Sequence, residues 1–179
     1  MGSVKVEIVR FDDSDRGYKG CREWAGELLR QAWGSTLVVS RGRLHDALDL
    51  PGFVAMIDDL PQGLATYRLE GSECELVTIN SQRTSIGVGS ALVKAVREAA
   101  DKAACRRLWL ITTNDNTDAL RFYQMMGFSL VALHRNAVEL SRQLKPEIPE
   151  VGLNGIPLRD ELELEMRLEK GADPITHPK

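Results

Sequence analysis

Arg83-Thr84-Ser85-Ile86-Gly87-Val88-Gly89-Ser90-Ala91-Leu92-Val93 is where an extended apolar run ends, two glycines follow and a helical pattern begins. Gly87 and Gly89 have no Cβ, so the main chain there can turn sharply and bring its N–H groups close to a ligand. From Ser90 to Ala104 the residues Leu92, Val96, Ala99 and Ala103 recur at helical spacing, which predicts that the glycines stand at a helix N-terminus. The first N–H groups of a helix lack intrahelical partners, and its dipole favours negative charge there. The stretch reads as a cradle for a phosphate or pyrophosphate; the simpler alternative is a turn that needs positive φ.

Two other phosphate-binding loops do not fit. A dinucleotide fold wants a third Gly or Ala three residues after Gly89, where this chain has Leu92. A P-loop ends in Gly-Lys-Ser/Thr, which is absent.

A second motif lies downstream, Asn116-Thr117-Asp118-Ala119-Leu120-Arg121-Phe122-Tyr123-Gln124-Met125-Met126-Gly127-Phe128, preceded by the apolar run Leu108-Trp109-Leu110-Ile111. With the glycine loop, in this order and spacing, it resembles the GNAT superfamily of acetyl-CoA-dependent N-acetyltransferases, over residues 73–134. The resemblance implies an α/β fold, a single-domain mixed and mostly antiparallel sheet of six to seven strands with helices on both faces. It implies acetyl-CoA as co-substrate, and transfer of its acetyl group to a primary amine by direct attack in a ternary complex. Counting the glycines from Gly87 and Gly89, Thr84 stands where the family usually has Gln or Arg, and Ser85 where glycine is frequent.

The resemblance also assigns residues. Thr84, Ser85, Ile86, Gly87, Val88, Gly89 and Ser90 would hold the diphosphate. Val77, Thr78 and Ile79, on a strand that splays from its neighbour, would meet the pantetheine arm and thioester. Asn116 would hydrogen-bond the arm, with capping of its helix the alternative. The Tyr123 hydroxyl would lie near the thioester sulfur, and Glu75 matches the position of a general-base glutamate in some members. By alternation alone, Glu73, Glu75, Val77 and Ile79 share one strand face and Cys74, Leu76 and Thr78 the other; the plainer reading points Glu75 to water at a sheet edge.

Composition narrows the alternatives. A chain of 179 residues with 43% hydrophobic content suffices for one core. Charge is near balance, 23 basic against 26 acidic residues without a basic run, which argues against nucleic acid or an anionic membrane as partner. No apolar stretch approaches the roughly 20 residues of a membrane span, and the N-terminus lacks a signal-peptide core, so a cytoplasmic enzyme is expected. Cys21, Cys74 and Cys105 are scattered, as are His45, His134 and His177, so neither a disulfide framework nor a metal site is expected.

In chain order, Val4–Val9 reads as a strand, Arg16–Trp33 as an amphipathic helix, and Thr36–Ser40 as a short strand. Arg41 to Asp46 reads as a solvated loop whose Arg41, Arg43 and His45 could meet an acidic acceptor. Phe53–Ile57 and Gly63–Leu69 read as strands joined by a loop holding Pro61 and Gly63, and Glu73–Ile79 leads into the cradle. Arg106–Thr112 and Phe128–His134 are further strands. Residues 1–169 form the expected domain, with 135–157 inserted before the last strand as a helix and loop, a candidate wall over the acceptor site. Glu161–Glu169 alternates cleanly, so its acidic row is expected to face solvent and discourage edge pairing; 170–179 reads as a loose tail.

Monomer and homodimer both remain open. A non-catalytic acyl-CoA-binding or regulatory module stays as the alternative function, on the strength of Thr84 and Ser85, and a nucleotide-dependent oxidoreductase as a weaker one.

Overall fold

Alternating strands and amphipathic helices assemble in the computed structural model, which describes residues 5–11, 21–82 and 87–168. The Arg83–Ile86 half of the cradle, the first residues of the expected Arg16–Trp33 helix and the expected tail from 170 lie outside the described residues. Strand β1 spans Glu7–Arg10, helix α1 Cys21–Trp33, β2 Leu37–Ser40, β3 Arg43–Asp46, β4 Gly52–Ile57, β5 Leu60–Glu70 and β6 Glu73–Ser81. Helix α2 spans Val88–Lys102, β7 Arg107–Thr113, α3 Thr117–Met125, β8 Ser129–His134, α4 Ala137–Leu144 and β9 Glu161–Arg167.

Seven strands form one sheet in the order β1-β4-β5-β6-β7-β9-β8, while β2 and β3 form a separate ribbon. The β6–β7 pair is parallel and the others antiparallel. One face buries Leu76, Leu92, Val93, Val96, Leu108, Leu110, Tyr123 and Leu164 beneath α2 and α3. The other buries Leu28, Leu29, Val54, Met56 and Leu64 beneath α1, together with Val38 of the ribbon. Among the described residues no helix is long and apolar enough to cross a membrane.

Three expectations change. Arg41 to Asp46 is not a loop: Arg41 and Gly42 take φ of 46° and 70°, a two-residue turn whose twist suits a hairpin, and β3 pairs back on β2. Pro61 and Gly63 lie within β5, because the turn falls at Asp58 and Asp59, φ 50° and 61°, with a register shift at Ala55/Met56 accommodating the proline strand. Strand β9 is not an edge. It lies between β7 and β8, and Glu161 and Glu163, expected in solvent, are 3% and 5% exposed.

Gly63 sets how closely α2 approaches the sheet. A Cβ there would stand 2.5 Å from Val88 Cγ1, 2.9 Å from the Asn80 carbonyl oxygen and 3.0 Å from Leu92 Cδ1. Gly63→Ala should therefore lift the start of α2 and destabilise the fold by about 1–3 kcal/mol, the usual cost of overpacking, read as a lowered midpoint in urea unfolding.

Candidate active site

The site begins where two strands part. Parallel pairing of β6 with β7 covers Glu73–Arg107, Cys74–Leu108 and Glu75–Trp109 and then stops. From Leu76 onward the β7-side edge of β6 is unpaired within the described sheet. Just there β6 carries a bulge: Leu76 pairs with Tyr67 and Thr78 with Thr66, leaving Val77 as an extra residue.

The bulge corrects the simple alternation. Val77 packs into the cluster under α1, and Thr78 follows it to the same face, its Oγ1 2.8 Å from Thr66 Oγ1. Ile79 goes to the α2 face. Glu75, Val77 and Thr78 thus share a face, and Ile79 does not share it.

Helix α2 starts beside the parting. Gly87 is its N-cap at φ 85°, with no side-chain cap, and Ala91 N donates to Gly87 O at 2.9 Å. The N–H groups of Val88, Gly89 and Ser90 open the helix and have no carbonyl a turn earlier within it. Among the described residues nothing lies within 4 Å of where a Gly87 Cβ would stand, and the free amides of a helix start fit an anion. Gly89 has a second task. Its Cβ position is 3.2 Å from Phe122 Cζ, so its bareness lets α3 pack against the first turn of α2. The Val88 side chain faces the core, 1% exposed, leaving only its backbone for a ligand.

On α3, Asn116 is the N-cap, its Oδ1 accepting from Ala119 N at 3.1 Å. Capping occupies Oδ1 and leaves Nδ2 without a partner among the described residues. Tyr123 is 7% exposed, tilted against Phe122 at 5.3 Å and edge-on to Phe128 at 5.8 Å. Burial pushes its phenol well above the usual value, so it keeps its proton, and its hydroxyl has no partner among the described residues.

The α1 face of the parting carries paired charge. Glu75 is 2% exposed, and its Oε2 accepts from Arg68 Nη2 at 3.0 Å and Nε at 3.2 Å; it does not point to water. A cleft of about 310 Å³ is lined by Arg68, Glu70, Ser72, Glu73, Glu75 and Trp109. Glu163 accepts from Arg107, lies 2.8 Å from His134 Nε2 and 3.7 Å from Arg41. Burial alone would raise its carboxyl, but His134, Arg107 and Arg41 outweigh that and hold it below its usual value. The guanidiniums of Arg41 and Arg107 both lie over Trp109, at 5.5 and 5.4 Å. Arg43 reaches Glu70 at 2.9 Å. The arginines of the ribbon are therefore engaged by the protein's own carboxylates.

Helix α4 packs on the ribbon. Lys145, 5% exposed, donates to the carbonyls of Trp33 and Leu37 at 2.7 Å each, tying residues 135–157 to the end of α1. Ser141 Oγ donates to buried Glu161 at 2.8 Å, and Asp115 accepts from Leu153 N at 2.8 Å. No group of three or more His, Cys, Asp or Glu among the described residues is arranged to hold a metal.

Gly89 in the first turn of α2 meets Phe122 of α3, Tyr123 joins Leu76 of β6 in one cluster, and Asn116 caps the same α3 helix. The motifs do not single out Ser40, His45, Trp109 or Glu163. Glu163 gave no usable signal, since clean alternation does not show whether its side of the strand meets water. Its burial depends on Arg107, 56 residues away.

Comparison with known proteins agrees with this geometry. The model of the acetyltransferase (GNAT) family matches residues 18–128. YdhI, an uncharacterized protein of Bacillus subtilis, is 42% identical over 137 residues, covering 76% of this chain and 86% of that protein. A Bacillus subtilis acetyltransferase solved in complex with CoA superposes with a TM-score of 0.69 at 21% identity, over 92% of this chain and all of the other. A GNAT family acetyltransferase of Elizabethkingia anophelis with acetyl-CoA bound gives a TM-score of 0.60 at 20% identity, over 94% and 100% of the two chains.

Two measurements check the site's own energetics. Because the Glu163 carboxyl is held below its usual value, its contribution to stability is full above that value and is lost as pH falls through the lowered one. Thermal unfolding of wild type should weaken across that acid window, and Glu163→Gln should remove that part of the slope while lowering stability at neutral pH. Asn116→Ala should cost about 1 kcal/mol through loss of the cap, whereas Asn116→Ser should restore it, read by urea unfolding.

Proposed function

The chain belongs to the acetyltransferase (GNAT) family and is an acyltransferase of that class, and from that premise we propose that it moves the acetyl group of acetyl-CoA onto a primary amine, probed best as a small molecule, by direct attack in a ternary complex. The observation that carries this reading is the parting of β6 from β7 beside the uncapped N-terminus of α2. The amides of Gly87 to Ser90, with Thr84, Ser85 and Ile86 before them, would hold the diphosphate of CoA. The acyl end would lie in the parting along Val77, Thr78 and Ile79, where a backbone N–H of β6 polarises the thioester carbonyl as charge develops on it. Asn116 Nδ2 would donate to the pantetheine arm, and residues 135–157 would wall the acceptor side.

Amine chemistry sets the acid–base demand. An alkylammonium near pKa 10.4 holds only about one part in a thousand as free amine at neutral pH, a handicap of roughly 4 kcal/mol. Glu75, at the last paired position before the strands part, would draw the proton off the ammonium, directly or through water. Tyr123 meets the leaving thiolate. From ordinary values of about 10 and 8.5 the proton transfer is uphill by about 2 kcal/mol, and burial makes it steeper, so its part is a hydrogen bond to sulfur as the bond breaks. Free thiols at Cys21, Cys74 and Cys105 suit a reducing cytoplasm.

Purified protein given acetyl-CoA and a panel of primary amines should release CoA faster with at least one amine than with buffer alone. Acetyl-CoA binding without turnover of any amine would support a non-catalytic binding module instead. Gly87→Val forces a branched residue into φ 85°, costing about 1–2 kcal/mol; it should weaken acetyl-CoA about tenfold by calorimetry. Tyr123→Phe should lower kcat on the order of 10- to 100-fold, at or below the contribution of a positioned acid, with acetyl-CoA affinity unchanged.

A further inference from the structure

Two polar atoms on the ribbon are left unpaired by the fold. Ser40 Oγ and His45 Nε2 are buried and have no hydrogen-bond partner among the described residues, and Ser40 is 5% exposed. Ser40 pairs across the ribbon with Arg43, and His45 with Val38, so strand alternation turns Ser40, Val38 and His45 to one side. That side faces the main sheet, because Val38 is packed with Val54, Met56 and Leu64. The sheet presents Glu75 on the same face, its Oε2 taken by Arg68 and its Oε1 without a partner among the described residues. Leaving a buried polar atom unpaired costs roughly 1–3 kcal/mol, and folds seldom do so without cause.

The charges around His45 are Arg43 on its own ribbon, Arg68 and Glu70 on β5, and Glu75 on β6. Burial holds the imidazole below its ordinary 6.5, against the pull of Glu75, the largest charge acting on it. At neutral pH the ring is therefore uncharged, and with Nδ1 carrying the proton, Nε2 is a lone-pair acceptor.

We propose that Ser40, His45 and Glu75 form the seat of the acceptor's amino group, and that His45 takes a proton from it before the nitrogen attacks the thioester. This rests on the reading of the chain as an amine acetyltransferase and names the acceptor end it selects. Three acceptor atoms match the three N–H groups of an unhindered primary ammonium; a secondary ammonium leaves one unmet, and a quaternary one leaves all three. Arg68 already holds Glu75 Oε2, which leaves Oε1 to orient the ammonium. As the C–N bond forms, the C–S bond breaks. Of the two protons the ammonium gives up, one passes to His45 and then to solvent, and the other leaves on sulfur as the CoA thiol. The ribbon tip is pinned by Arg41 to Glu163 at 3.7 Å and by Arg43 to Glu70, both more than half exposed, and the exposed contact is loose enough to yield as the acceptor enters.

The test uses the full chain loaded with CoA and follows the His45 ring nitrogens by NMR. Propylammonium should shift them saturably, tetramethylammonium at equal concentration should not, and Ser40→Ala should weaken the propylammonium response several-fold. With the acceptor found in the amine panel, wild-type kcat/KM should rise with pH through the His45 value, below 6.5. His45→Gln keeps an acceptor atom, so it should lose that limb and leave KM for acetyl-CoA unchanged. Acetylation with a His45→Gln profile that superimposes on wild type would overturn the seat and leave acetyl transfer standing, as would equal responses to the two ammonium ions. Failure to acetylate any amine overturns the underlying reading and the seat with it.

Discussion

A single surplus residue in β6 governs the site. Val77 has no partner on β5, and the strand's facing pattern shifts by one from that point. Without the shift, Thr78 would enter the α2 core and Ile79 would stand beside Glu75. With it, Thr78 is spent against Thr66, Ile79 joins the core under α2, and the strand leaves β7 immediately after Glu75 and Trp109. The edge released by that departure lies next to the start of α2. Thioester and diphosphate subsites follow from the same local irregularity.

The two faces of the sheet then divide the labour. The α2 and α3 side holds the donor machinery, built from main-chain amides, an N-cap and a buried phenol. The α1 and ribbon side holds side-chain chemistry, nearly all of it charge balanced within the protein: Arg68 with Glu75, Arg43 with Glu70, Arg107 and Arg41 with Glu163. Apart from the solvent-exposed Arg43–Glu70 pair, these pairs each hold a buried carboxylate and add little net stability, since desolvation offsets attraction, but removing one partner leaves an uncompensated charge. Their value here is geometric, because they fix Trp109 and the carboxylates where the strands separate.

The sequence was informative where a feature is local. Gly87 and Gly89 mark a helix start, Asn116 to Phe128 marks a capped amphipathic helix, and the β6 and β7 runs mark strands. It was silent where a feature depends on distant partners. Clean alternation in β9 does not reveal whether its polar side faces water, because that depends on β8 returning on its far side and on Arg107 meeting Glu163. The bulge is likewise invisible, since Val77 would suit either face. The ribbon was hidden by an arginine at φ 46°, a position where Asn or Gly is the usual sign. Gly63 reads as turn punctuation, and only its contact with Val88 and Leu92 explains its place inside a strand.

The pinning of the ribbon has an electrolyte consequence. Its outer clasp, Arg43 to Glu70, sits in solvent, whereas the inner one ends on a carboxylate only 7% exposed. Mobile ions at a Debye length of about 8 Å reach the first and scarcely the second. Raising ionic strength therefore slackens one attachment selectively, so the hairpin would pivot about its tryptophan-side anchor instead of lifting away whole.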